Sequence, residues 1–209
     1  MKAQRFCIAL GMLLLPAAAT IAQPGITGGF NTGTYKYQVN STTYGRSSLV
    51  GFNAGLFYRA SLDRHVIMEP SLLFTRKGAR NNNTPFPVDY TKSRLDYVQL
   101  NVPVMYRGWV SRHADFTIGG GPYAAVLAYA DVRTQFRTGD QNLDDYSIGT
   151  NGADDFKPLD AGLRFGAGFR YDRVNVSIAY DLGLADIAPQ TNTEIRNRTF
   201  GINLGFMLW

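Results

Sequence analysis

The chain has 209 residues, of which 45% are hydrophobic, 18% charged and 13% aromatic, with 22 glycines and a formal charge of +5. That is enough for one sizeable domain, and no window holds the ~18 unbroken apolar residues of a membrane-spanning helix. Without Lys2 and Arg5 the charge falls by two, too small an excess to indicate a nucleic-acid partner.

The N-terminus is the one helix-like apolar run. Lys2 and Arg5 precede Phe6 to Leu15, and Pro16-Ala-Ala-Ala-Thr-Ile-Ala22 follows. A charged start, a short apolar stretch and small residues describe a secretory signal peptide over residues 1–22, with cleavage after Ala19 or Ala22; a buried N-terminal helix is the competing reading. Cys7, the only cysteine, lies inside the apolar run rather than at its small-residue end, where a lipid-anchoring cysteine would stand. The exported chain, a single domain over 23–209, then has neither thiol nor disulfide and depends on pairing and packing.

Behind this segment, period-two alternation predicts eight strands: Gly25–Tyr37, Leu49–Leu62, His65–Lys77, Arg94–Gly108, Ala114–Tyr129, Pro158–Tyr171, Val174–Ala185 and Thr199–Trp209. No stretch between them carries a 3.6-residue apolar stripe, so the chain is all-β. "SLDRH", "WVSRHAD" and "YDRV" are tight turns, whereas "QVNSTTYGRSS", "GARNNNTPFPVDYTKS", residues 130–157 and "DIAPQTNTEIRNR" are long and polar. Short turns at one end and long loops at the other is the layout of an outer-membrane barrel.

Each strand has one bulky apolar face, such as Val50/Phe52/Ala54/Leu56/Tyr58 or Phe200/Ile202/Leu204/Phe206/Leu208. The other face carries glycine and Asn53, Arg59, Glu69, Gln99, Asn101, Arg107, Arg164, Asp181 and Asn203. A soluble sandwich would bury the first face and solvate the second. The signal peptide, the aromatic strand ends and the loop asymmetry favour the inverse. The expected fold is an eight-stranded antiparallel up-and-down transmembrane β-barrel, its apolar face on lipid.

Strand phase also predicts register. In "DAGLRFGAGFRYDRVNVSIAYDLGLA" the apolar positions are odd before Asp172-Arg173 and even after it, so facing residues have an odd sum. Phe169 then faces Val176, Phe165 faces Tyr180, Leu163 faces Leu182, and Arg164 lies opposite Asp181. A turn centred on Ser111 sets Arg107 opposite Asp115, and one centred on Asp63 leaves Glu69 a diagonal step from Arg59. An eight-stranded lumen is only wide enough for its side chains, so these six residues are expected to form a polar plug.

"YVQLNVPVMYR" (Tyr97–Arg107) followed by "ADFTIGGGPYAAVLAYA" (Ala114–Ala130) resembles the small outer-membrane barrels abundant in Bacteroidota, the PorT-like group. The resemblance covers Gly25 to Trp209. It implies an integral barrel inserted by the barrel-assembly machinery, in a family some of whose members assist protein secretion. Trp209 departs from the usual ending, because alternation puts it on the face of Asn203 and Gly205. Pro70, Pro103 and Pro122 each remove a ladder donor and predict local bulges.

Little in the chain reads as catalysis. His65 and His113 fall at short turns with no nucleophile to pair with, and Asp140, Asp144, Asp145, Asp154 and Asp155 match no metal-loop spacing. "GxGPY" lies within a strand, so it is no phosphate-binding turn. No cofactor or metal is expected. Arg76, Lys77, Arg80, Lys92, Arg94, Arg196 and Arg198 stand near the outer strand ends, either marking the edge of the membrane band or contacting glycolipid phosphates. The expected role is non-enzymatic: structural, adhesive or secretion-accessory, with a surface partner bound through the loops and outer-membrane lipid and lipopolysaccharide around the wall. A narrow channel for ions or small solutes is the alternative, and a barrel-embedded lipid-modifying enzyme the third class.

Overall fold

The computed structural model describes residues 22–39, 42–44, 47–81, 87–150, 155–190 and 193–208. Residues 1–21 of the expected signal peptide, Asp154 and Trp209 lie outside them, whereas Ala22 opens the first strand. The described residues form β1 (Ala22–Val39), β2 (Thr42–Tyr44), β3 (Ser47–Ser61), β4 (Val66–Met68), β5 (Ser71–Asn81), β6 (Val88–Asn101), β7 (Val104–Trp109), β8 (Ala114–Phe136), β9 (Gln141–Asp145), β10 (Leu159–Tyr171), β11 (Val174–Gly183) and β12 (Thr193–Met207). Every strand pairing is antiparallel.

Proline explains two of the four strands in excess of the expected eight. The third strand is cut into β4 and β5 at Glu69-Pro70, and the fourth into β6 and β7 at Val102-Pro103. The two breaks sit side by side: the Glu69 amide donates to the Pro103 carbonyl at 3.1 Å, and the Val102 amide to that of Pro122 at 3.0 Å. The backbone is satisfied although three ladder donors are missing. Counting each broken strand once, and setting aside the two short strands β2 and β9, leaves eight staves among the described residues.

β1 pairs with β3 on one side and with β12 on the other, which closes the sheet into a barrel. β2 and β9 are short additions at the long-loop end, paired to β1 and β8. Several staves run further than the alternation indicated. β5 continues to Asn81, β6 starts at Val88, β8 runs on to Phe136 and β12 begins at Thr193. All four extensions point the same way, raising paired ribbon beyond the apolar belt.

The β10–β11 hairpin has the register its phase predicts. Phe169 faces Val176, Phe165 faces Tyr180, Leu163 faces Leu182 and Arg164 faces Asp181, around a two-residue turn in which Asp172 takes φ 50°. Aspartate tolerates that left-handed geometry better than most residues. The other two short turns differ from expectation by one residue at their centres, because Trp109 pairs with Asp115 and Ala60 with Met68.

Alternation sorts the faces. Phe30, Val50, Leu56, Ile118, Ile202 and Leu204 stand outward and exposed, Phe30 at 74%, while Asn31, Arg59, Lys77, Gln99, Asp115 and Asn203 are buried inside. A soluble monomer rarely shows a contiguous apolar patch beyond a few hundred Å²; here the patch is the whole wall. Only lipid can cover it. Ala167, opposite Ile118 and Ile178 in that wall, tests the assignment. Ala167→Arg should cost about 2–4 kcal/mol of folding stability in lipid vesicles, and Ala167→Leu almost nothing. Equal losses on urea unfolding would contradict the outward face.

Candidate functional site

Because the wall faces lipid, the chemistry of the barrel lies in its lumen and at its rims. At the short-turn end, Asp115 on β8 is fully buried and lies opposite Arg170 of β10, which donates to it from Nε at 2.7 Å. Arg59 adds a second cation, with Nη1 3.5 Å from Asp115 and Nε 2.8 Å from Glu69. Arg107 is not part of that pairing, contrary to the expected register. It lies opposite Thr117 and donates to the Ser61 hydroxyl at 3.2 Å and the Arg64 carbonyl at 3.0 Å. The physical reason is the turn: centred on Arg112 rather than Ser111, it moves Arg107 one diagonal step from Asp115. The same one-residue shift at the β3–β4 turn brings Arg59 directly across from Glu69.

Midway along the lumen, Arg164 Nη1 lies 3.4 Å from Asp181 and donates to Asn101 at 3.2 Å. Gln99 gives one amide hydrogen to Asp181 at 3.0 Å and another to Asn101 at 2.7 Å. Between this level and the lower one is a cavity of about 70 Å³ lined by Phe57, Leu73, Met105, Thr117 and Asn175 among others.

A third level, which strand phase did not single out, is the most deeply buried. Lys77 and Asp160 meet at 3.3 Å with 1% and 0% of their side chains exposed. Asp160 also accepts from Asn197 at 2.9 Å and from the Tyr123 hydroxyl at 3.3 Å. The ammonium sits over the rings of Tyr123 and Tyr97, 4.6 and 5.2 Å from their centres. Lys77 is therefore no glycolipid contact at the outer edge. β5 continues four residues beyond it, and position 77 shares the inward parity of Leu73 and Thr75.

Above that level the long loops fold into the mouth. Phe156, Ile187 and Ala188 pack with Leu127, Ala130 and Ile195 in one buried cluster, with Tyr146 against its edge. Lys157 Nζ lies 3.4 Å from Asp186, whose other oxygen accepts the amides of Ala188 and Ile195 at 3.0 and 2.9 Å. A polar column with an apolar cap results.

The remaining basic residues stand on the outer surface, and several have partners. Arg76 makes a two-point pair with Asp96 at 2.7 and 2.6 Å and lies over the Phe52 ring. Arg80 and Lys92 both lie over Tyr90, Arg94 faces Asp131, and Arg196 pairs with Glu194. Arg198 is exposed between Thr34 and Leu182. His65 stacks on Tyr106, and His113 bonds Asp172 at 2.7 Å, both at short turns. Loop carboxylates fasten local turns, Asp155 accepting the Ser147 amide and hydroxyl at 2.9 and 3.1 Å. Among the described residues, no group of three or more His, Cys, Asp or Glu is placed to hold a metal ion.

Lys77→Met and Asp160→Asn should each destabilise the barrel by about 3–5 kcal/mol, since each strands a buried partner, and the double substitution should recover much of that. Additive losses in a double-mutant cycle would show that the two charges do not support one another.

No curated protein matches the sequence. Among solved structures, Ail, the attachment invasion locus protein of Yersinia pestis, is similar at 13% identity with a TM-score of 0.38, covering 88% of this chain and 99% of that one. Neisserial surface protein A is similar at 12% and 0.44, covering 89% and 98%, and OprG of Pseudomonas aeruginosa at 11% and 0.48, covering 90% and 96%. The family model described as outer membrane protein beta-barrel domain matches residues 21–188. The chain belongs to that family and is a protein of the outer membrane.

Proposed function

We propose that this barrel is a non-enzymatic scaffold whose lumen stays shut and whose outer ribbons and loops engage a surface or secretion partner. The observation that carries this reading is the Lys77–Asp160 pair beneath the Phe156–Ile187 cap. Ions passing through would have to break a buried charge pair and displace an apolar cluster. The cavity lower down, at about 70 Å³, is lumen space for a few waters rather than a continuous path. Both histidines stand at the short-turn end, far from the loop rim where an outer-leaflet substrate would enter, so the reading carries no reaction.

Recognition then falls to the long-loop end, where loops on a rigid scaffold concentrate binding residues. The β8–β9 ribbon stands at that end: Asp131 pairs with Asp145 and Gln135 with Gln141. The resemblance of "YVQLNVPVMYR" and "GGGPY" to the PorT-like group of Bacteroidota favours a secretion-accessory partner over an adhesive one. Insertion would depend on the barrel-assembly machinery.

Two measurements test this. In planar bilayers the protein should give no unitary conductance, whereas Lys77→Met combined with Asp160→Ala and Phe156→Ala should begin to conduct. Replacing residues 137–144 by a short Gly-Ser turn should leave heat-modifiable migration on gels intact and abolish cross-linking to the partner in intact cells. Steady conductance by the unaltered barrel would favour the channel reading. Unchanged cross-linking would take recognition away from the β8–β9 ribbon.

A further inference from the structure

The charges inside the barrel do not cancel. Among the described residues, the inward side chains of the staves include five cations (Arg59, Lys77, Arg107, Arg164, Arg170) and four carboxylates (Glu69, Asp115, Asp160, Asp181). Asp96 and Asp131 are covered too, but they stand on the outer face opposite Arg76 and Arg94. The two upper levels of the lumen balance one to one, Arg164 with Asp181 and Lys77 with Asp160. The excess therefore lies at the short-turn end, where Arg59, Arg107 and Arg170 stand around Asp115 and Glu69.

Both acids of that level are already in use. One oxygen of Asp115 accepts from Arg170 Nε at 2.7 Å and the other from Arg59 Nη1 at 3.5 Å, while Glu69 accepts from Arg59 Nε at 2.8 Å. Arg107 reaches only neutral oxygens: the Ser61 hydroxyl at 3.2 Å and the carbonyls of Arg64 and Asp63 at 3.0 and 3.5 Å. Its guanidinium and that of Arg170 lie over one Trp109 ring, 4.5 and 6.0 Å from its centre, so the two cations are close neighbours. Arginine does not shed its proton at neutral pH, and the charge stays.

Two donors in this cluster have no acceptor. Arg59 Nη2 and Arg107 Nε are buried and unpaired, on residues 2% and 9% exposed. An unmade hydrogen bond on a buried charged group is costly, and a buried cation without a counter-charge more so. Beside them is the cavity of about 70 Å³, whose walls include Glu69, the partner of Arg59, and Thr117, which lies opposite Arg107. It has room for one small ion and a few waters, and none for a sugar or a peptide.

We propose that the short-turn end of the lumen binds one small monovalent anion, of chloride size, between Arg59 Nη2 and Arg107 Nε. Water would satisfy either donor and leave the charge. A single negative charge satisfies the donors, brings this level to three against three, and neutralises the lumen. Asp115 and Glu69 select against higher charge, since a divalent anion would be repelled by both and would overshoot the balance. The ion enters from the short-turn end, where the Glu69 and Arg170 side chains are 20% and 14% exposed. It passes no part of the Phe156–Ile187 cap, so the site is independent of the closed lumen above it and of the loop partner.

Crystals of the barrel grown from a non-ionic detergent and soaked in sodium bromide test the site directly. Anomalous scattering should place a bromide within hydrogen-bond reach of Arg59 Nη2 and Arg107 Nε. No peak there, or peaks only at the exposed turn residues Arg64, Arg112 and Arg173, would mark adventitious ions and overturn the proposal. In solution at constant ionic strength, exchanging sodium gluconate for sodium chloride should raise the thermal unfolding midpoint by several degrees and then level off, as filling a site requires. Arg107→Met returns the staves to four against four and should abolish that rise, whereas Arg198→Gln on the outer wall should keep it. A rise that survives Arg107→Met, or that climbs without saturating, is an effect of bulk salt and contradicts the site. Should Arg107→Met fold poorly, the bromide position in the unaltered protein still decides.

Discussion

Hydrocarbon offers a backbone amide no hydrogen-bond partner, so a sheet that crosses a membrane has to close on itself. In this chain closure runs through β1, which spends one edge on β3 and the other on β12. With eight staves the closed sheet encloses little more than the volume of its own side chains. Every inward residue is therefore packed against another inward residue, and any charge among them has to be neutralised from inside the barrel.

The inner residues are arranged accordingly. Arg59, Arg170 and Asp115 occupy one level, Arg164 and Asp181 the next, Lys77 and Asp160 the last, with amides and hydroxyls bonded to the carboxylates between them. Replacing such pairs by well-packed hydrophobes is often neutral or stabilising in other proteins, so their presence is weak evidence for stability as such. On the reading proposed above, their part is to keep the lumen polar and shut. The apolar cap of Phe156, Ile187 and Ala188 closes what the charges leave.

Much of this was legible in the sequence where a single period sufficed. The β10–β11 hairpin has two long phases and a two-residue turn, so its pairing and the Arg164–Asp181 juxtaposition follow from parity alone. Turn centres were less legible. The turns that symmetry centres on Asp63 and Ser111 centre on Arg64 and Arg112, which is enough to detach Arg107 from Asp115 and to align Arg59 with Glu69. Alternation ends the strand of Lys77 at that residue and so sets it at the outer edge, whereas the inward parity of Leu73 and Thr75 is the signal that points it into the lumen. Arg170 and Asp160 were invisible to within-hairpin reasoning, since their partners lie across a long loop or on the far wall.

The central claim is an inside-out barrel with a sealed polar interior, and spin labels along β12, the closing stave, test it most directly. Labels at Phe200, Ile202, Leu204 and Phe206 should be open to oxygen dissolved in the bilayer, and labels at Thr199, Gly201 and Asn203 should be shielded from both oxygen and a water-soluble nickel complex. Nickel access at those odd positions would mean a water-filled pore. Oxygen access at the odd positions with shielding of the even ones would mean that the apolar face is a core, and the account would be wrong.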